Sequence, residues 1–556
     1  MVINRFKMKT NIIFNKGWQL LLMVVLAVLV YSCKKEDPND GLEAPRIFKP
    51  SGITVRTTET DAKITWTAPL LSSNLKLAYV AEFSQDTTFA TSEFSLQTDT
   101  AGLTVADDKL KVRKKYFVRV KALSTNGQPE SNWMISRSFS ITGEQFFEQI
   151  RDLEIKETQV TLRWKPTAGL DKVTLQKKDG AVVDYPISGS EATTGVKVIT
   201  GLDAGVEYST EIYQGTRSKG LRTFKTLVPT VYARTLNPGD DIVAAITNAA
   251  NGDVIGLNPG TYLAGTNNYN VIQKAITLKS TSGNPLDTKV TYKEFILNGT
   301  GAGIKFDGIE LDGTPSASAY FLNLVSGNSN ADPANFEPIV IFNCIVRGAT
   351  TSFLRADRGS AASTYKIDHI TISNTLVYDI GSTLGYHFLH LNKLQFAALN
   401  IRKSTFYNVG RALILNSTVL TSNPPLITID YCTFNNFGAG NYYALLDAGA
   451  NPTRLSVTNS IIANVPRTGA TVNTAAVRAT GAGSGVVFSN NNTFNFVTAI
   501  GGATLTFPTN ITIMSGNQTI SLGWTNATTT FTIPTGSPLR TASSDGTPIG
   551  DPRWTY

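Results

Sequence analysis

Short runs in which apolar and polar residues alternate recur along the second half of the chain, at 304–313, 339–348, 370–381, 399–410, 426–438, 455–465 and 486–497. Period-2 alternation predicts strands with one buried face. Five of the runs pass through a polar or small pair: Asn343-Cys344, Asn374-Thr375, Lys403-Ser404, Tyr431-Cys432 and Asn459-Ser460. Successive pairs lie 31, 29, 28 and 28 residues apart. Self-similar short strands at this period, without a helical stripe, predict a solenoid with one such strand per turn, a parallel β-helix.

Upstream, the alternation is interrupted by Gly, Pro and Asn. Strands are predicted at 62–69, 77–83, 116–122 and 133–141, and a second set at 160–166, 201–208 and 221–227. That density predicts all-β sandwiches. The two stretches, 45–143 and 146–228, resemble fibronectin type III domains, with Trp66 and Trp164 as the core tryptophan and Tyr116 and Tyr208 as the later-strand tyrosine. The resemblance implies spacer or adhesion modules. Trp66 and Trp164 read as core indoles rather than ligand contacts.

The last domain, 229–556, opens with Ile242, Ala245, Ile246 and Ala249 at helical spacing, then a strand and turn at 253–262 and a strand at 276–280. A helix cap, an "I-x-L-x-P-G-x-Y" turn and an "I-T-L-K" strand resemble the start of pectin-lyase-like right-handed β-helix proteins, closest to chondroitinase B and the alginate lyases. Gly550-Asp551-Pro552-Arg553-Trp554 resembles the ending of surface lipoproteins of the same build, and 534–556 reads as a C-terminal cap over the last turn. The fold class is therefore all-β: two fibronectin type III-like sandwiches followed by a right-handed parallel β-helix.

The N-terminus changes where this fold is expected to reside. Arg5, Lys7, Lys9 and Lys16 precede an apolar run at 20–30 that is short for a membrane span. Val30-Tyr31-Ser32-Cys33 resembles a bacterial lipobox, making 1–32 a signal peptide and Cys33 the lipidated first residue. The tether 33–44 contains KKEDPND, which resembles the charged export tags of surface lipoproteins in glycan-foraging Gram-negative bacteria. The resemblance implies an outer-membrane lipid partner through Cys33 and other glycan-uptake proteins as neighbours. Loss of the leader's four basic residues lowers the formal charge from +8 to +4, so no nucleic-acid surface is indicated.

After Cys33 only Cys344 and Cys432 remain. They hold the same place in the repeat three turns apart, about 14 Å at ~4.8 Å per stacked strand, too far for a disulfide. Both are expected to be free, buried thiols in an interior ladder with Thr375, Ser404 and Ser460.

A second row follows the first strands. Aligned on apolar neighbours, Arg355, His390, Asn416, Asp447 and Arg478 fall on one line, flanked by Asp357, Asn392 and Thr418. Arg and Asp are rarely buried unpaired, so the row is expected to face solvent. Arginines can pair bidentately with sugar carboxylates or sulfates, which points to an extended, acidic polysaccharide as partner; a merely solvated face is the alternative. Arg347, Lys403, Arg411 and Arg467 are further candidates on adjoining turns.

Cleavage is the second functional reading, and adhesion the third. The resembled lyases take the C5 proton of a uronate with a basic residue while carboxylate-held calcium offsets the sugar's charge. No Glu follows Glu337, and the later acids are scattered, so calcium enters only under that reading and no metal or other cofactor is predicted. His387 and His390, three apart in a strand, should point to opposite faces, which speaks against a zinc site. A metal-free lyase would draw on Arg355, His390, Arg411 and Tyr386.

Overall fold

The computed structural model describes residues 45–357, 365–420 and 423–555. The expected signal peptide, tether and lipidated Cys33 lie outside the described residues. The chain divides into two compact units, the first ending at Val228 and the second spanning Pro229–Tyr556. Among the described residues no helix is long and apolar enough to cross a membrane.

The first unit holds two sandwiches. In one, a three-stranded antiparallel sheet (Ser51–Thr57, Asp61–Thr67, Gly102–Ala106) faces a four-stranded one built on Tyr79–Ser84 and Phe117–Ala122. Inward residues of both, including Ile64, Trp66, Phe83, Val118 and Val120, form its core. In the other, Gln159–Arg163 pairs with Val196–Thr200 opposite the four-stranded sheet of Lys172–Lys177, Val182–Pro186, Glu207–Gln214 and Arg217–Lys225. Trp164 is buried at its centre.

Each sandwich carries a tyrosine whose hydroxyl accepts a backbone N–H five residues upstream. Tyr116 takes it from Lys111 at 3.2 Å and Tyr208 from Asp203 at 2.9 Å. This tyrosine corner pins the turn into the later strand.

The second unit is a parallel β-helix with three strands in each full turn, two from each look-alike run and the third from the second row. Its three parallel sheets contain 12, 9 and 8 strands. Each look-alike run supplies a strand of the first sheet and a strand of the second, with the polar pair as the corner between them. Ile339–Phe342, for example, passes through Asn343-Cys344 into Ile345–Arg347.

The corner explains the pair. Asn343, Asn374, Lys403, Tyr431 and Asn459 all take φ between 48° and 53°, the left-handed region that Asn tolerates best among side-chain-bearing residues. The following residue turns inward. Its backbone N–H is then satisfied by the side chain of its equivalent one turn on. Cys344 donates to Thr375 Oγ1 at 3.4 Å, Thr375 to Ser404 Oγ at 3.1 Å, and Cys432 to Ser460 Oγ at 3.0 Å. Cys344 and Cys432 are free and buried in this ladder, and burial pushes the Cys344 thiol up to about 12.

Inside the coil, phenylalanines pack against one another from turn to turn. Phe321–Phe353, Phe353–Phe388, Phe388–Phe406 and Phe406–Phe434 have ring centroids 4.9, 4.6, 5.6 and 4.9 Å apart. Such pairs add about 0.5–1.5 kcal/mol each beyond the area they bury. The N-terminal end is closed by helix Ile242–Thr247, whose first turn is capped by Asp241 Oδ1 accepting from the Ala244 N–H at 2.9 Å. Ile242, Ala245 and Ile246 face the core, as their spacing predicts.

The C-terminal segment is not the expected end cap. After the last strand, Thr512–Ser515, it runs back along the outer side of the second sheet. Trp524, Phe531, Ile533, Leu539 and Ile549 pack there against Tyr407, Ile461 and Ala463. Buried Asp551 accepts from Thr405 Oγ1 at 2.7 Å, the Trp554 indole donates to the same hydroxyl at 2.7 Å, and Arg553 donates to the Asn374 carbonyl. The physical reason is the apolar outer surface of those turns, which water would otherwise meet.

Candidate functional site

The second row of the sequence lies on the third sheet. The strands Ser352–Arg355, Leu389–His390, Ile414–Leu415, Leu446–Gly449 and Val477–Ala479 stack in order. Their register places Arg355 beside His390, His390 beside Leu415, Leu415 beside Asp447, and Asp447 beside Arg478. Asn416 is therefore off the line by one residue, and Leu415 takes its place. A two-residue strand offers too few apolar positions for their alignment to set register.

The row also does not stand in open solvent. His390, Asp447 and Asn416 are buried, Arg355 is half-buried, and Arg478 alone of the five is exposed. Tyr386 and His387 pack against His390, and burial of the charged members is made tolerable by pairing. Arg478 forms a bidentate pair with Asp447 at 2.7 and 2.8 Å. Asp357 sits 3.4 Å from His390 Nε2 and 3.0 Å from Lys393 Nζ, contacts that hold its carboxyl down at about 2, the His390 bond first. Asn392 is structural: its Oδ1 accepts from the Ser417 N–H at 2.7 Å.

Arg355 is gripped by rings. Its guanidinium lies 5.1 Å from the centroid of Tyr320 and 5.4 Å from that of Tyr386. Tyr386 meets His390 edge-on at 4.3 Å. One turn further, Arg411 lies over Tyr442 at 3.5 Å and donates to the Gly385 carbonyl. Arg478 lies 4.9 Å from Tyr443.

The two histidines are on the same side, with ring centroids 6.1 Å apart. His387 belongs to the turn before the two-residue strand, so period-2 alternation does not govern it. It is buried against Tyr442 at 5.3 Å with neither ring nitrogen hydrogen-bonded. Burial, and then Arg411 and His390, push its pKa down to about 3.

Of the residues named from the sequence, Arg355, Tyr386, His390 and Asp357 come together, and Arg411 joins them through His387 and Tyr442. Arg347 does not: it is on the second sheet, paired with Glu310 at 2.9 Å and Asp312 at 2.6 Å. Lys403 occupies a left-handed corner between the first two sheets. Sequence reasoning missed Tyr320, His387 as a neighbour of His390, Tyr442 and Tyr443. The signal for His387, Tyr442 and Tyr443 was an aromatic pair, Tyr386-His387 or Tyr442-Tyr443, a few residues before Leu389–His390 and Leu446–Gly449.

Calcium does not fit this surface. It needs six to eight oxygen ligands, and among the described residues no group of three or more His, Cys, Asp or Glu side chains could hold a metal ion.

Residues 260–409 match a family described as a domain of unknown function, DUF4957. No curated protein matches the chain. Among solved structures, the chain is similar to a two fibronectin type-III domain segment from chicken tenascin, at 17% identity, covering 32% of this chain and 99% of that one with a TM-score of 0.18. It is also similar to the FN1–FN3 domains of chicken CNTN1, at 12% identity, covering 34% of this chain and 69% of that one with a TM-score of 0.16.

Proposed function

We propose that the protein is a surface lipoprotein that binds an extended, anionic polysaccharide along the outer side of the third sheet. The observation that carries this reading is the succession of half-buried tyrosine rings and guanidiniums on consecutive turns. Arg355 and Arg411 have no carboxylate partner among the described residues, so their charge is available to a ligand. Aromatic faces suit sugar rings, and guanidinium forks suit carboxylates or sulfates.

The lipobox-like Cys33, the charged tether and the pectin-lyase-like opening of the β-helix support the same reading. In this reading the protein is lipid-anchored at the outer membrane among other glycan-uptake proteins. Binding is favoured over cleavage by His390. Its Nε2 faces Asp357, its Nδ1 is enclosed without a partner, and a general base must reach the proton it removes.

Affinity electrophoresis against pectate, alginate and chondroitin, with and without calcium, tests the proposal. Retention by at least one of them should fall tenfold or more in Arg355→Ala/Arg411→Ala with an unchanged circular dichroism spectrum. Unchanged retention would sink the site. Absorbance of an unsaturated uronate appearing during incubation would move the reading to a lyase.

A further inference from the structure

We propose that the free end of the first sandwich rests on an anionic lipid surface, with Leu70, Leu71 and Phe48 entering the lipid. The proposal rests on the lipid anchor of the reading above, to which it adds a second point of attachment, and does not involve the glycan face.

The loop between Asp61–Thr67 and Tyr79–Ser84 has its polarity inverted. Ser72 is buried, its Oγ donating to the Pro69 carbonyl at 2.6 Å and its own carbonyl accepting from the Leu75 N–H at 3.0 Å. The two leucines before it point to solvent, Leu70 73% and Leu71 89% exposed. Leu71 also takes φ 59°, a left-handed backbone that bulky side chains rarely adopt. A strained apolar tip that adds nothing to the core is a mark of function, and an apolar environment outside the protein would stabilise it.

Strand register sets where this tip lies. Ser51 pairs with Thr67, so the chain enters the sandwich at the end from which the loop leaves. Phe48, 55% exposed, stands three residues before Ser51 at that same end. The Ile47 N–H donates to the Pro129 carbonyl at 3.1 Å, which brings the 123–133 loop there too. The second sandwich joins at the opposite end. There Asp107, next to the Ala106 that pairs with Asp61, meets Arg217 at 3.4 Å, and Arg113 meets Glu211 at 3.5 Å. The end that carries the leucines is left free by the neighbouring sandwich.

Two observations make lipid the occupant. Pro45, where the described chain begins, is twelve residues after Cys33, a reach of at most about 40 Å. An anchor that short keeps the end where the chain enters nearest the bilayer. The charges agree. Arg46, Lys49 and Lys76 are exposed at this end, against Asp99 and a Glu130 already paired with Lys121 at 2.6 Å. Basic residues beside an apolar tip favour anionic headgroups.

The test places an environment-sensitive fluorophore at Ser73→Cys, which keeps both leucines, and at Glu59→Cys in the turn at the opposite end; buried Cys344 and Cys432 stay unlabelled. The full acylated chain is anchored in vesicles of phosphatidylethanolamine and phosphatidylglycerol that carry nitroxide lipids. Quenching at the first position should exceed that at the second about threefold or more, and Leu70→Ser/Leu71→Ser should abolish the excess. Equal quenching at both positions on an anchored chain overturns the membrane contact while leaving the anchor and the glycan site standing. A blue-shifted emission from the Ser73→Cys label in the absence of vesicles marks a protein partner and overturns it as well. If the intact mass shows no acyl groups on Cys33, the anchor and the contact fall together.

Discussion

The second and third sheets of the β-helix share one coil and one period, yet their outer surfaces have opposite fates. On the second sheet the outward residues of the middle turns are Tyr378, Tyr407, Ile461 and Ala463, and the chain's last forty residues fold back to cover them. On the third sheet the outward residues and the turns above them are Arg355, Tyr386, Arg411, Tyr442 and Arg478, half-buried or exposed. A largely apolar surface is a liability that the chain closes with its own residues, and the polar members of its rows are met by the same segment: Asn435 donates to the Thr525 carbonyl and Thr405 to Asp551. Rings interleaved with guanidiniums can remain wet, and a surface of that composition suits a ligand better than a strap.

Breaking the covered side should have the largest effect on stability and none on binding. Phe531, fully buried between Trp524, Tyr407 and Trp554, should lose about 3–5 kcal/mol on substitution to Ala. Chemical denaturation measures the loss, and glycan affinity of the folded fraction should stay as in the wild type.

A pH titration sharpens the open side. The folded-state pKa of His387 is depressed to about 3, so the unfolded chain takes up the proton first as pH falls. Stability is full above the unfolded value near 6.5 and should decline below it, by about 1.4 kcal/mol per pH unit for this group alone. His387→Phe should flatten the slope between pH 6.5 and 4 in urea melts; an unchanged slope would falsify the assignment of His387 as a buried, neutral ring.

A smaller change should appear at the neutralised end of the row. Asp447→Asn frees Arg478 from its bidentate partner and adds a free cation to the face. Anionic glycan binding should tighten two- to five-fold with a steeper salt dependence, read by isothermal titration at two ionic strengths. The mutant should also be somewhat less stable, because buried Asp447 loses its bidentate pair with Arg478.

The smallest effect is expected inside the coil, beneath both faces. Cys344 and Cys432 should resist an aromatic disulfide reagent until the protein unfolds, because their thiols are buried and held protonated.

Most of the second unit's inner architecture was legible in the residues. Alternation exposed the strands, and the recurring pair exposed the corner, because a left-handed backbone position followed by an inward polar or small residue leaves a mark in every turn. The third sheet was read less well. Its central strands are two residues long, and the spacing between equivalent positions varies from 25 to 35 residues across Arg355, His390, Leu415, Asp447 and Arg478. Alignment on apolar neighbours thus put Asn416 where Leu415 belongs. Tyr442 and Tyr443 were missed because they sit in a turn, outside any period, and Tyr320 because it opens a strand, Tyr320–Val325, one turn before the row that was aligned.

What the sequence alone determined is local and repetitive: strands from period-2 alternation, corners from Asn and small residues, a capping helix from its spacing, and thiols too far apart to join. These depend on a residue and its near neighbours, or on the same contact made in each turn. The tertiary structure alone decided which polar residues are covered, which arginines keep free charge, and where the C-terminal segment lies. Those outcomes hang on contacts between residues 25 to 180 positions apart whose side chains meet only once the coil has closed.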